Sequence, residues 1–440
     1  MTVRARYTLV AAMIAALVAS LVAVSSNDAT ADGRGNPPGP PLELGLERLL
    51  DRNLDWLEGK QVGLVTNPTG VDSDLEHGVD LLIDASESHD FEVTALYGPE
   101  HGVRGGAEAG EYVESYTDER TGLPVYSLYG ETQKPSAAML EDVDVLLFDI
   151  QDIGTRFYTY IWTMYYVMEA AAEEDKEMIV LDRPNPLGDR IEGPMLDPEL
   201  SSFVGLKDIP LRHGMTVGEL AKLFEGEFLD DDLELDLRVS EMHRYQPRFF
   251  ENFWGLEWVL PSPNIPTHES ALVYPGTGLV ESLNVSEGRG TTKPFEWVGA
   301  PWFDDVGAQE LADDLNDRDL PGVTFRPMFT TPTMSWQEGE FSGGVELHVT
   351  DAEVFESVRT GLHVLDALFE ADETQWREYE PGWWDHGCDE DTICWIERLS
   401  GDRDVRAQLE AGVDPDEIVA GYQDEVDEFD ELAEQYRIYR

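Results

Sequence analysis

Three apolar runs with strand character each end at a cluster of polar residues, and this repeated pattern constrains the fold most. The first run, 91–97, is followed after a Gly-Pro turn by Glu100 and His101. The second run ends at Asp149 and the third ends at Asp182. In an open α/β sheet, ligands bind beyond the carboxyl ends of the strands. We therefore expect the three clusters to lie at one site.

Strand and helix signals alternate from about residue 42 to residue 242, which predicts a parallel sheet with helices on its faces. The predicted strands are 61–65, 92–97, 123–129, 143–148, 178–181 and 233–242. The predicted helices are 75–88, 134–142, 155–174 and one that opens with a capping box at Thr216 and Glu219. The stretch 254–267, with three prolines, breaks the alternation.

Beyond that stretch the order of the signals changes, which predicts a second domain of the α+β class. The predicted elements are a helix near 269–273, strands at 323–328 and 344–349, a helix at 354–369 and a helix-prone tail at 414–440. The sequence therefore predicts an α/β parallel-sheet domain at 42–265 and a smaller α+β domain at 266–440.

The charge balance is extreme, because 90 Asp and Glu residues stand against 30 Lys and Arg residues, for a net charge of −60. Disordered acidic proteins lack apolar residues, but 42% of this chain is hydrophobic, so we expect it to fold. The composition favours a surface adapted to high salt, which screens the repulsion between like charges. The excess of negative charge also repels nucleic acid, so we predict no nucleic-acid binding.

The N-terminus predicts an exported protein. Two arginines precede an apolar run from about Leu9 to Val24, and small residues at 29–31 resemble a signal-peptide cleavage site. The run is short for a membrane span, so we expect a signal peptide at 1–31, a linker at 32–41, and no stable membrane insertion after cleavage. An uncleaved anchor is the alternative. A secreted or extracytoplasmic location follows.

The cysteines Cys388 and Cys394 lie close together in the second domain. In an exported protein, two neighbouring cysteines suggest a disulfide. Two free thiols are the alternative, and two cysteines alone make a weak zinc site.

Glu100 and His101 form either a catalytic pair or a surface turn. A carboxyl group that follows an apolar strand is partly shielded from water, which suits a general acid. Asp149, Gln151 and Asp152 follow the next strand within one turn. Capping of the following helix explains one of these polar groups but not all of them.

A metal site and a nucleotide site are both disfavoured. Glu100, His101, Asp149 and Asp152 could form an oxygen-rich metal site, but their spacing matches no common metal-binding motif. No G-x-G-x-x-G follows the first strand and no phosphate-binding P-loop is present, so we predict no nucleotide cofactor. In the second domain, Glu287 and Arg289 lie on a glycine-rich loop, where the arginine suits carboxylate recognition and a surface ion pair is the alternative.

Taken together, these motifs resemble those of the exo-β-N-acetylmuramidase family, glycosidases that remove N-acetylmuramic acid from the non-reducing end of peptidoglycan fragments. The resemblance extends from about Leu42 to the C-terminus. The motifs that carry it are 64–70, 97–102, 148–156, 182–188, 212–216, 261–264, 274–277 and 286–291. It implies a Rossmann-like catalytic domain, a smaller second domain, a cleft between them as the active site, and no nucleotide. We predict no cofactor and no metal.

The implied chemistry assigns roles to the candidate residues. Glycoside cleavage commonly needs an acid for the leaving oxygen and a second group at the anomeric centre, unless the substrate's acetamido group replaces that second group. We predict Glu100 as the general acid. The candidates for the second role are Asp149, Asp152 and Glu287. The predicted substrate-binding residues are Asn67, His101, Arg104, Gln151, Arg156, Asn264 and Arg289, with the arginines as candidates for the lactyl carboxylate.

Two other functions remain open at this point. One is a non-catalytic extracytoplasmic protein that binds a sugar or a muropeptide in the same cleft. The other is a metal-dependent hydrolase at Glu100 and Asp149. The sequence leaves the oligomeric state and the stereochemistry of cleavage undetermined.

Overall fold

A seven-stranded sheet forms the centre of the first half of the chain. The computed structural model describes residues 42–105, 114–130, 132–230, 232–247, 255–377 and 393–440. The strands are β1 (Lys60–Thr66), β2 (Phe91–Gly98), β3 (Tyr116–Thr117), β4 (Pro124–Ser127), β5 (Val145–Asp149), β6 (Glu177–Leu181) and β7 (Asp236–Ser240). Their order is β3-β4-β2-β1-β5-β6-β7, and all neighbours are parallel except β3 and β4. Apart from the short β3, this is the strand order of a Rossmann fold.

One helix precedes β1 and others connect parallel strands, as the alternating pattern predicts. They are α1 (Gly45–Arg52), α2 (Gly78–Ser86), α3 (Tyr160–Glu173) and α4 (Val217–Leu223). Helix α4 begins with the predicted capping box, in which Thr216 and Glu219 bond each other's backbone N–H groups. Helix α3 is apolar on nearly all sides because it is buried on nearly all sides.

The second half of the chain is built around a three-stranded antiparallel sheet. Its strands are β8 (Trp297–Ala300), β9 (Val323–Thr330) and β10 (Ser342–Val349), in the order β8-β10-β9. Its helices are α5 (His268–Thr277), α6 (Asp305–Asp317), α7 (Ser357–Leu368), α8 (Trp395–Ser400), α9 (Arg403–Glu410) and α10 (Pro415–Ala433). Helices α5 and α7 meet at Gly276 and Gly361, where neither position has room for a Cβ atom. The predicted fold class is confirmed.

Two predicted helices differ from the structure. The segment 155–159 does not belong to α3, because Arg156 donates its backbone N–H to the carbonyl of Leu211 at 2.7 Å and Thr155 bridges to Arg212. These tertiary bonds replace the first helical turn. The predicted helix at 134–142 is reduced to a 3₁₀ turn at Ala137–Leu140.

The structure bears only in part on three predictions: the domain boundary, the signal peptide with its linker, and the disulfide. Residues Leu42–Arg440 form one compact unit, and the boundary at 265/266 stays a prediction. The predicted signal peptide and linker lie outside the described residues, as does Cys388. Cys394 is buried and disulfide-bonded. In the part of the chain that the structure describes, no helix has the length and apolarity to cross a membrane.

The C-terminal residues return to the large sheet and close over the end of β6. The hydroxyl of Tyr439 donates to Asp182 at 2.6 Å, and Glu219 accepts the backbone N–H groups of Ile438 and Tyr439. Asp182 is fully buried, and this burial raises its pKa to about 7. The carboxyl group therefore holds a proton more tightly in the folded protein than in the unfolded chain.

This raised pKa predicts a pH-dependent stability. The contribution of Asp182 is fully present below its unfolded pKa and is lost as the pH rises through about 7, because the folded state binds the proton more tightly. We expect Asp182→Asn to flatten the fall in melting temperature between pH 5 and pH 8. Melts in molar salt check this, and an unchanged slope would contradict it. The substitution keeps the local contacts, because the hydroxyls that donate to Asp182 can rotate and accept a hydrogen bond from the asparagine amide.

Candidate active site

The carboxyl ends of β1, β2 and β5 lie side by side where the strand order reverses. Parallel register pairs Thr66, at the end of β1, with Asp149, at the end of β5, and β1 also pairs with β2. The segments that follow these strands carry Asn67, Glu100 and Asp152. The strand ends therefore bring the predicted polar clusters to one edge of the sheet, where α/β folds bind ligands.

Glu100 lies two residues beyond the end of β2, is half-buried, and accepts a hydrogen bond from a hydroxyl group. The Oγ1 of Thr159 donates to its Oε2 at 2.8 Å. Burial, followed by the charge of Glu100 and a hydrogen bond to it, raises the pKa of the Tyr129 hydroxyl. The hydroxyl of Thr159 therefore binds this carboxyl group, and the hydroxyl of Tyr129 lies close to it.

Three buried tyrosines lie near Glu100. The rings of Tyr158 and Tyr160 lie 4.9 Å apart, and those of Tyr158 and Tyr274 lie 5.8 Å apart, both edge to face. Burial raises the pKa of all three hydroxyls, and the charge of Glu100 raises them further. These hydroxyls therefore stay protonated beside the carboxyl group.

Asp149 is held in a buried ion pair. Its Oδ1 lies 2.6 Å from the Nε of Arg183, and Arg183 also donates to the carbonyl of Val71 at 2.8 Å. The second oxygen of Asp149 faces the backbone at Gly70 and Gly78, and the residue has no exposed surface. We therefore set Asp149 aside as a candidate for the second catalytic role, because a buried guanidinium already engages it.

Asp152 lies just beyond Asp149 and is bound by a histidine. Its Oδ2 accepts the backbone N–H of Gly154 at 2.6 Å and lies 3.3 Å from the Nε2 of His213. Its Oδ1 has no hydrogen-bond partner among the described residues. The adjacent Gln151 donates its side-chain amide to the carbonyls of Asp152 and Pro184, each at 2.7 Å. These contacts fix the loop after β5.

The remaining polar candidates of the first domain are buried. Asn67 accepts from the backbone N–H and the hydroxyl of Thr69 at 2.9 and 2.5 Å, which shapes the loop after β1. His101 is buried beside Glu100 with a φ of 69°. Asn264 is buried in the segment that joins the two halves of the chain.

The arginines of the first domain are engaged by the protein. Arg156 is fully buried, and its two terminal nitrogens donate to four backbone carbonyls, including those of Leu399 and Ser400 in the second half of the chain. Its role is therefore structural, and we withdraw it as a ligand of the lactyl carboxylate. Arg104 pairs with Asp118 at 3.0 Å and keeps about a third of its side chain exposed.

Arg289 lies between two glutamates in the second half of the chain. Its Nη1 is 2.8 Å from Glu281 and 3.1 Å from Glu287. Burial alone would lower the pKa of Arg289, but the two carboxylates outweigh burial and raise it. The hydroxyl of Ser335 also donates to Glu287 at 2.8 Å. The predicted loop pair of Glu287 and Arg289 is thus a buried cluster and not a surface ion pair.

Tyr274 connects this cluster with Glu100. Its ring packs on Phe295 at 4.6 Å, and the guanidinium of Arg289 lies over the same phenylalanine ring at 4.9 Å. Burial raises the pKa of Tyr274, and the charges of both Glu100 and Glu287 raise it further. One tyrosine hydroxyl is therefore within electrostatic reach of the two candidate catalytic glutamates.

Backbone strain is found at the same place. His101, Phe295 and Ser335 adopt φ values of 69°, 62° and 64°, in the left-handed region that residues with a Cβ atom rarely adopt. Each of them adjoins or contacts Glu100, Arg289 or Glu287. Strain of this kind concentrates at functional sites.

Metal-ligating side chains also cluster away from the strand ends. Among the described residues, three such side chains approach one another at His363, Asp414 and Asp416, on α7 and at the start of α10. Asp416 accepts a hydrogen bond from the guanidinium of Arg359 at 2.7 Å, and this positive charge opposes a cation there.

Several residues of the site were not predicted from the sequence. They are Tyr129, Tyr158, Thr159, Tyr160, Tyr274, Glu281, His213 and Ser335. His213 and Tyr274 do lie in motifs that carried the family resemblance, which was the available signal. The others lie at ordinary positions in helices and loops, where only tertiary packing reveals their role.

The comparisons with known proteins concern almost the whole chain. The N-terminal domain model of the exo-beta-N-acetylmuramidase NamZ family matches residues 62–269, and the C-terminal domain model matches residues 272–439. The peptidoglycan beta-N-acetylmuramidase NamZ of Bacillus subtilis (strain 168) is 48% identical over 401 residues, which cover 91% of this chain and 92% of that protein.

Two crystal structures of DUF1343 family proteins from Bacteroides fragilis NCTC 9343 share the fold. One has a TM-score of 0.81 at 39% identity and covers 92% of this chain and 100% of its own. The other has a TM-score of 0.69 at 29% identity and covers 91% of this chain and 99% of its own. With both domain models matched in order and 48% identity to the relative from Bacillus subtilis, the chain belongs to the exo-beta-N-acetylmuramidase NamZ family.

Proposed function

We propose that the protein is an exo-acting glycoside hydrolase that releases N-acetylmuramic acid from the non-reducing end of peptidoglycan fragments. The observation that carries this proposal is the position of Glu100 at the switch point of the sheet, in a chain of this family. Its carboxyl group accepts a hydrogen bond from the hydroxyl of Thr159. The relative from Bacillus subtilis is a peptidoglycan beta-N-acetylmuramidase.

Glu100 acts as the general acid that protonates the leaving oxygen. Asp152 and Glu287 remain as candidates for the second role, because Asp149 is enclosed in its ion pair. Arg289 and Arg104 are the candidates for binding the lactyl carboxylate. Both arginines pair with carboxylates, Arg104 with Asp118 and Arg289 with Glu281 and Glu287. Arg289 in addition lies near Tyr274, whose pKa is also affected by the charge of Glu100. We therefore favour Arg289.

Chromogenic substrates test the proposal directly. We expect the protein to release the chromophore from an N-acetylmuraminide and to act poorly on the matching N-acetylglucosaminide, which lacks the lactyl carboxylate. Binding without turnover would instead assign a sugar-binding protein. Loss of activity with a chelator would assign a metal-dependent hydrolase.

We also propose that the protein works outside the cytoplasm in concentrated salt. The net charge of −60 and the presence of only six lysines support this proposal. At 1 M salt the Debye length is about 3 Å, so most repulsion between surface carboxylates is screened.

Thermal melts test the salt requirement. The midpoint should rise steadily from dilute buffer to molar NaCl, because screening relieves the self-repulsion of the folded state. Activity should rise over the same range. A midpoint that does not change with salt would contradict the proposal.

A further inference from the structure

We infer that Asp152, positioned by His213, binds the acetamido N–H of the substrate, so that cleavage proceeds through the substrate's own acetamido group with retention of configuration. This inference rests on the proposed function. It assigns the second catalytic role, which the family resemblance leaves open, to one of the two remaining carboxylates.

The bonding of Asp152 is incomplete. Its Oδ2 is occupied by the N–H of Gly154 and the imidazole of His213, whereas its Oδ1 is buried without a partner among the described residues. A buried carboxylate oxygen without a donor costs stability, and such atoms are rare unless they serve a function. An amide N–H of a bound ligand is the kind of donor that this oxygen lacks.

The state of His213 follows from its neighbours. The ring is fully buried, and the backbone N–H of Met215 donates to its Nδ1 at 3.2 Å. Because Nδ1 accepts, the neutral ring carries its proton on Nε2 and donates it to Asp152. His213 therefore orients the carboxylate without removing its charge.

Asp149 and Glu287 also keep one buried carboxylate oxygen without a partner among the described residues, but each of them is paired with an arginine. Asp149 is paired with Arg183 and Glu287 with Arg289. Of the three residues predicted for the second role, Asp152 alone forms no ion pair with an arginine or lysine in the described residues. A carboxylate that must stabilise a developing positive charge acts best when no guanidinium has already neutralised it.

The charges of Asp152 and Glu100 both act on Tyr160. Burial raises the pKa of the Tyr160 hydroxyl, and the charges of Glu100 and Asp152 each raise it further. Both carboxyl groups therefore lie within electrostatic reach of one tyrosine hydroxyl. This arrangement allows one of them to serve the leaving oxygen and the other to serve the acetamido group of the same sugar.

The reaction then has two balanced steps. The acetamido oxygen attacks C1 while the bond from C1 to the leaving oxygen breaks, and Glu100 gives its proton to that oxygen. Asp152 accepts a hydrogen bond from the amide N–H as positive charge develops on the resulting oxazolinium ring. Water next attacks C1, Glu100 takes a proton from this water, and the ring opens to give N-acetylmuramic acid with retained configuration.

The stereochemistry of the first product provides the first test. Proton NMR during turnover of a muraminide should show the β anomer before mutarotation. The α anomer would overturn the inference and leave the proposed function intact. If no N-acetylmuramic acid is released at all, the proposed function itself fails.

Retention alone does not separate Asp152 from a nucleophilic Glu287, so a second test is needed. The thiazoline analogue of N-acetylmuramic acid resembles the cyclic intermediate, and we expect it to bind at least about 100-fold more tightly than substrate. Turnover should also fall steadily along the series N-acetyl, N-fluoroacetyl and N-difluoroacetyl, since fluorine weakens the attacking oxygen. Insensitivity to both would overturn the inference.

Variants assign the roles of the residues. Asp152→Asn should lower kcat about 10²–10³-fold, the range for loss of one stabilising group in a preorganised site, and should weaken thiazoline binding. Glu287→Gln is the matched comparison and should leave the sensitivity to fluorination unchanged. If Glu287→Gln instead abolishes that sensitivity, or traps a covalent sugar, Glu287 holds the role.

His213 is tested as a positioning residue. His213→Gln keeps a side-chain N–H donor, so we expect it to retain more kcat and more thiazoline affinity than His213→Leu, at similar melting temperatures. If both variants lose thiazoline affinity equally and melt early, the role of His213 is only structural.

Discussion

Replacing Glu100 by Gln should reduce the turnover of a natural muramyl disaccharide about 10²–10⁴-fold, the usual contribution of a general acid. Glutamine keeps the shape of the side chain and the bond from Thr159, but it has no proton to give to the leaving oxygen. The melting temperature should change little, because the hydroxyls around this position can bond an amide as well as a carboxyl group.

The choice of leaving group distinguishes a general acid from a residue that acts in a different step. A nitrophenolate leaves without protonation, so Glu100→Gln should lose much less activity on a nitrophenyl muraminide than on the disaccharide. If both substrates lose activity equally, Glu100 does not act by protonating the leaving oxygen. If the disaccharide is cleaved at a near-normal rate, the acid lies elsewhere and Glu287 is the first residue to test.

Replacing Asp149 by Asn should destabilise the protein by about 3–5 kcal/mol, the typical cost of breaking a buried ion pair by removing one partner. The substitution leaves the guanidinium of Arg183 buried without a counter-charge. Urea unfolding in molar salt would measure the loss. The variant should keep its turnover under conditions where it is folded.

An exposed ion pair provides the matched control. Lys134 lies 2.8 Å from Glu173, with 31% and 47% of the two side chains exposed. Glu173→Gln should cost less than about 1 kcal/mol, as is usual for exposed pairs. Equal losses in the two variants would show that burial does not govern these interactions. Lost turnover with unchanged stability in Asp149→Asn would return Asp149 to the catalytic candidates.

The sequence predicted the fold because hydrophobic periodicity is a local property. The runs that form β1, β2, β5 and β6 are largely apolar and end at or next to Gly-Pro, Asn-Pro or Asp, so their positions and the edge at which they meet follow from the pattern alone. The position of Glu100 at that edge follows for the same reason. The length of α3 does not follow from the local pattern, because Arg156 and Thr155 form hydrogen bonds with residues more than fifty positions away.

The ion-pair and hydrogen-bond partners of the polar side chains could not be predicted from the sequence, for a similar reason. Asp149 and Arg156 have the residue types and the spacing of site residues, yet burial commits one to Arg183 and the other to backbone carbonyls. The link from Glu100 to Glu287 passes through Tyr274 and Phe295, which come from a different part of the chain. Only the packed structure shows which charges remain available to a substrate.

The direction of attack on a natural oligosaccharide tests the central claim most directly. Two peptidoglycan trisaccharides, one with N-acetylmuramic acid and one with N-acetylglucosamine at the non-reducing end, would be incubated with the protein in molar salt and analysed by mass spectrometry. We predict free N-acetylmuramic acid from the first and no cleavage of the second. Cleavage of the second trisaccharide, or failure to cleave the first, would contradict an exo-acting muramidase.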